Sequence, residues 1–159
     1  MEKLSLVLWQ ERELLDDLLF RLEVEQLVLA SGRTNHLMRA ARDVEATLQQ
    51  LRETEVLRAV AADLAAEQLG LAPNPALSEL AAASPEPWST VLADHREAFE
   101  STTRRIMELA DANRDLITSG YRSARETLMA LGDPAPHAYS PDGSAVAAPT
   151  ASRLLDRSI

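Results

Sequence analysis

Apolar residues recur along this chain in steps of three and four over three long stretches, the spacing that turns one face of an α-helix toward a core. In the first, from about Glu2 to Ala30, Leu4, Leu8, Leu15, Leu18, Leu22 and Leu29 form one stripe, widened by Val7, Leu14, Leu19 and Val28. Ser31-Gly32 supplies a left-handed stop, and Thr34 or Asn35 can cap a second helix, so the connection is short and predicts antiparallel neighbours, with a kinked continuation as the alternative. The second stretch, from about Asn35 to Leu69, places Leu37, Ala41, Val44, Leu48, Leu51, Leu57, Ala61, Leu64 and Leu69 inward, with Arg39, Arg42, Arg52, Glu53 and Glu67 outward, and stops at Gly70. The third runs from Pro85 to Leu131, with a seam of Trp88, Leu92, His95, Phe99, Thr102, Ile106, Leu109, Asn113, Leu116, Gly120, Ala124 and Leu128. Ser84 as N-cap, Pro85 at the first helical position and Glu86 in the first turn mark its start, and Gly132 followed by Pro134 marks its end.

Prolines divide the rest. Pro73, Pro75, Pro85 and Pro87 share one connection, where Asn74 before Pro75 predicts an N-capped short helix of about two turns between the second and third long ones. Pro134, Pro136, Pro141 and Pro149 fall in the last stretch, which is rich in Ala, Ser, Gly and Thr and has no apolar period before Leu154-Leu155. Such a segment buries too little to fold alone and is expected to be disordered when free. The predicted fold class is all-α: an antiparallel bundle of three long helices with a short connecting helix. Residues 1–132 form the helical domain and 133–159 a flexible tail.

Composition narrows the function. The chain has 159 residues, 46% of them hydrophobic but only 4% aromatic, so its core is built from aliphatic side chains, as in long-helix bundles and unlike most sheets. A net charge of −9 argues against a groove that tracks the phosphates of a nucleic acid. The absence of cysteine excludes disulfides and thiolate chemistry and suits a reducing cytoplasm. No stretch approaches the roughly 20 apolar residues of a membrane span, and the opening residues carry too short an apolar run for a signal peptide, so a cytoplasmic protein is expected.

Catalytic chemistry is thin. His36, His95 and His137 are far apart, and none has the Glu three residues earlier that a di-iron bundle would need, so neither metal nor other cofactor is expected. His95 reads as a packing histidine on the seam, with His36 and His137 solvated. Asp16 and Asp17 are sequential and point apart on a helix, which is no acid/base pair. The five glycines make no phosphate loop. Asn113 between Leu109 and Leu116 costs stability on an apolar seam but can fix register, and Gly120 could allow a close crossing or a bend. No enzyme is implied. The apolar Leu154, Leu155 and Ile159, which have no local core, either fold back on the bundle or are held for a partner helix, in the latter case together with Leu128 and Leu131 at the end of the third helix. Tyr139 sits before a Ser140-Pro141-Asp142-Gly143 turn whose flanks are structureless, a place suited to recognition.

Several runs resemble the FlgN family of flagellar export chaperones. They are the Leu/Glu run from Glu13 to Glu25, Glu55-Val-Leu-Arg58 followed by Leu69-Gly-Leu71, and Asn113-Arg-Asp-Leu116-Ile117. The companion Asn that often stands three residues before the last of these is Ala110 here, and in Tyr139-Ser-Pro-Asp-Gly143 Ser140 stands where the family's turn has its first glycine. The resemblance implies a cytoplasmic bacterial chaperone, monomeric or weakly dimeric. Its C-terminal part would capture the hook–filament junction proteins FlgK and FlgL, and Tyr139 with Gly143 would help it dock on the export-gate protein FlhA. On that reading Leu128, Leu131, Leu154, Leu155 and Ile159 contact the cargo. A structural or regulatory coiled-coil scaffold would share the heptads but form a stable oligomer.

Overall fold

A computed structural model describes residues 1–132, all of whose long elements are helices: α1 (Glu2–Ala30), α2 (Thr34–Leu69), α3 (Leu77–Ala83) and α4 (Trp88–Gly132). No strand occurs among the described residues. The chain divides into two units, Met1–Thr118 and Ser119–Ile159. The tail expectations for residues 133–159 lie outside the described residues.

In the first unit, α1 and α2 form an antiparallel pair. Gly32 makes the turn at φ 68°, where a β-carbon would be strained, and Gly70 ends α2 at φ 72° in the same left-handed conformation. Rising positions on α1 meet falling positions on α2: Glu11 pairs with Arg58, Asp17 accepts from Thr47, and Arg21 reaches Asp43. α4 runs with α1 instead, since His95 packs on Trp9 and Asn113 reaches Leu22. The order is up, down, up, with α3 at the turn.

The core gathers where these elements meet: Leu4 and Leu8 of α1, Ala61, Ala62, Ala65 and Ala66 of α2, Leu80 and Ala81 of α3, and Leu92 of α4. Here the structure corrects part of the inward face expected for α2. Leu48, Leu57 and Leu64 are exposed; Ala61 is buried as expected and Leu37, Ala41, Val44, Leu51 and Leu69 partly so, but Ala62, Ala65, Ala66 and the small polar Thr47 and Thr54 are buried as well. Small side chains let two helix backbones approach closely, and the larger aliphatics are displaced to the other side.

Three caps also differ from expectation. Ser84 is not the N-cap of the third long helix but the C-cap of α3, where its hydroxyl donates to the Leu80 carbonyl at 2.6 Å. Pro85 and Glu86 belong to a turn, and α4 begins at Trp88, whose N–H donates to the Pro85 carbonyl. Asn74 does not cap α3: it adopts φ 57°, its N–H donates to Asp63 Oδ1 at 2.6 Å, and α3 starts three residues later, at Leu77, with Ala76 at the N-cap. There Glu79 accepts the Ala76 N–H at 2.8 Å, taking up one donor that the helix start leaves free. α2 begins at Thr34 with Arg33 at the cap and no capping side chain, so neither Thr34 nor Asn35 performs that role.

Candidate functional site

The α4 seam holds as far as Asn113 and no further. Leu92 and His95 are fully buried, Phe99, Thr102, Ile106 and Leu109 partly so, and every described residue from Arg114 on is exposed. The seam's expected continuation through Leu116, Gly120, Ala124 and Leu128 is therefore corrected: these residues are exposed. A β-carbon built on Gly120 would meet nothing within 4 Å, so the glycine serves no close crossing.

Asn113 closes the seam. Its amide donates at 3.0 Å to the Leu22 carbonyl and at 3.0 Å to Glu25 Oε2, while its own Oδ1 is buried without a partner. Two bonds to α1 from one buried amide favour a single register of the two helices, because a slide by one turn would part the amide from both acceptors. Arg105 near Glu23, at 4.0 Å and exposed, adds little.

Two ionisable groups are buried inside the first unit. Burial pushes the Glu11 carboxyl above its ordinary value, and neighbouring Glu55 pushes the same way against the Arg58 guanidinium 2.9 Å away. His95 is lowered chiefly by burial and further by Arg12, with Asp94 opposing. The imidazole lies edge-on to Trp9 and stacked on Phe99, with neither nitrogen hydrogen-bonded, and Arg12 sits over the Trp9 ring at 4.6 Å. An unbonded neutral imidazole among aromatic rings is packing material, not a poised base. Among the described residues no group of three or more His, Asp or Glu is placed to hold a metal ion.

What is available for binding is apolar surface. Ser119–Gly132, all helical, carries Tyr121, Ala124, Leu128 and Leu131 in steps of three and four on one exposed face. Tyr121 is 72%, Leu128 70% and Leu131 79% accessible, which for such large side chains in a row is the mark of an interaction surface. Leu128 and Leu131, singled out from sequence, are thus together on this face. Leu154, Leu155, Ile159, Tyr139 and Gly143 lie outside the described residues. Tyr121 was not singled out, although an aromatic seven residues before Leu128 in a chain so poor in aromatics was the signal.

No described helix is long and apolar enough to cross a membrane. The family model described as FlgN protein matches residues 1–147. No curated protein and no solved structure matches the chain significantly.

Proposed function

The chain belongs to the FlgN family, a family of flagellar export chaperones, and from that premise we propose that it captures the hook–filament junction proteins FlgK and FlgL in the cytoplasm and delivers them to the export-gate protein FlhA. The observation that carries this reading is the exposed face of Tyr121, Leu128 and Leu131, a row of large apolar side chains. A helix from the cargo laid along it would bury its own apolar ridge in the same contact.

Leu154, Leu155 and Ile159 add a second apolar group after a Pro-rich stretch, and as part of this proposal they close over the cargo helix. Ordering such a segment on binding trades affinity for easy release, which suits a chaperone that must hand its cargo on. Tyr139 and Gly143, with the turn between them, supply the gate contact. In this arrangement residues 1–132 are the helical domain and 133–159 the recruiting tail.

Calorimetric titration of the full chain and of a chain truncated after Gly143 with FlgK is the test. Loss of at least about tenfold in affinity, about 1.4 kcal/mol, is expected for the truncated chain. Full affinity would show that the tail is not a capture element. Tyr139→Ala is expected to weaken binding to FlhA with cargo affinity unchanged, and equal FlhA affinity for variant and parent would remove Tyr139 from the gate contact.

A further inference from the structure

α2 is built inside out for a helix that serves only a bundle. Ala61, Ala62, Ala65 and Ala66 are buried against the core, while Val56, Leu57, Val60 and Leu64 are 64%, 54%, 52% and 45% accessible. These positions follow steps of three and four, so they make one continuous ridge on the side away from α1. The hydrophobic effect favours the opposite choice, larger groups inside and smaller ones out. A contiguous apolar ridge kept in water is the usual mark of a docking surface.

Charge says what docks there. Glu53, Asp63 and Glu67 lie on the same face, and none has an ion-pair partner among the described residues. The nearby arginines are turned elsewhere: Arg58 to Glu11 and Glu55, and Arg52 to Gln49. Asp63 is held in place by the Asn74 N–H. The ridge ends in a cleft of about 370 Å³ where Leu64, Leu71 and Pro73 meet the Asp63 and Glu67 carboxylates. The C-terminal end of α2, with its negative helix dipole, has no basic residue in its last turn to offset it. The apolar ridge, three carboxylates without a cationic partner among the described residues and a negative helix end all favour the same ligand, and the negative charge repels nucleic acid and anionic lipid alike.

We propose that the outward face of α2 from Glu53 to Glu67 docks an amphipathic partner helix that carries Lys or Arg beside its apolar ridge. This surface shares no residue with the face of Tyr121, Leu128 and Leu131, and the inference does not depend on the cargo reading. The partner's apolar side chains lie along Leu57, Val60 and Leu64, and its cations reach Glu53 and Glu67.

Fluorescence anisotropy of the full chain with two labelled model peptides tests it. Both are 18-residue helices with the same leucine ridge, one flanked by Arg and the other by Glu. The Arg peptide is expected to bind at least about ten times more tightly. Glu53→Lys with Glu67→Lys should remove that preference, whereas Glu13→Lys with Glu97→Lys, an equal change in net charge at exposed sites on other helices, should keep it. Leu57→Ser with Leu64→Ser should weaken the Arg peptide while the circular-dichroism spectrum stays unchanged. Equal binding of the two peptides by the parent chain overturns the proposal, as does equal loss in the two charge variants, which would make net charge the cause. Sedimentation equilibrium completes the test: self-association of the parent chain that disappears in the Glu53/Glu67 variant would make a second copy the occupant and overturn the partner named here.

Discussion

His95 shows how one residue couples packing to solution conditions. It is 1% exposed, both ring nitrogens lack partners, and its pKa is lowered from an ordinary value near 6.5. Between that value and the lowered one, the unfolded chain binds a proton that the folded chain refuses, so stability falls as pH drops below about 6.5. Arg12 on α1 opposes the extra charge and Asp94 on α4 favours it. Glu11 acts in the opposite sense: its raised pKa means that the folded chain takes up a proton more readily, and that contribution is lost as pH rises through the folded value. A His95→Phe variant isolates the histidine. Its melting temperature should fall less than that of the parent between pH 7 and pH 5, and parallel curves would show that His95 does not carry the dependence. Asn113 is the second residue to test, since Asn113→Ala removes two hydrogen bonds to α1 and is expected to cost about 1–3 kcal/mol in urea unfolding.

Among elements, the outer helices were legible in the sequence and the middle one only in part. On α1 the leucine stripe is the buried face, because Leu4, Leu8, Leu18, Leu19 and Leu22 have no small-residue competitor for the core. On α4 the pattern was right as far as Asn113, and failed beyond because periodicity records that a face is apolar, not that a partner covers it. On α2 the expected face is right at Ala61, which is buried, and in part at Leu37, Ala41, Val44, Leu51 and Leu69, but wrong at Leu48, Leu57 and Leu64: Ala61, Ala62, Ala65 and Ala66 permit a close approach that Leu57 and Leu64 would prevent. Capping was misread for a related reason. Ser84 can bond forward or back, and it takes the Leu80 carbonyl behind it. Two substitutions separate the faces. Ala65→Leu, at a site 2% exposed, should cost about 1–3 kcal/mol through overpacking, while Leu64→Ala on the outer face should stay within about 0.5 kcal/mol. Equal losses at the two sites by chemical denaturation would reject the assignment of faces. On α4, Leu92→Ala empties a fully buried position and should cost about 2–5 kcal/mol.

At the scale of the whole molecule, stability and binding are carried by different residues. The buried aliphatics lie within Met1–Thr118, while Ser119–Gly132 contributes exposed side chains only. An exposed leucine that touches nothing can be replaced at little cost to folding, so the face of Tyr121, Leu128 and Leu131 can be dismantled without unfolding the protein. Leu128→Ser with Leu131→Ser should leave the melting temperature within about 2 °C of the parent. If cargo lies along this face, the same pair should lower FlgK affinity by at least about tenfold, since each leucine buried in a contact contributes about 1.5–3 kcal/mol. Leu6→Ser, at a residue that is 70% exposed on α1, is the matched control and should change neither quantity. Unchanged cargo affinity in the double variant would move capture off α4. A lowered melting temperature would instead mean that Leu128 or Leu131 packs against part of the chain outside the described residues, and the face would then belong to the fold before it belonged to a partner.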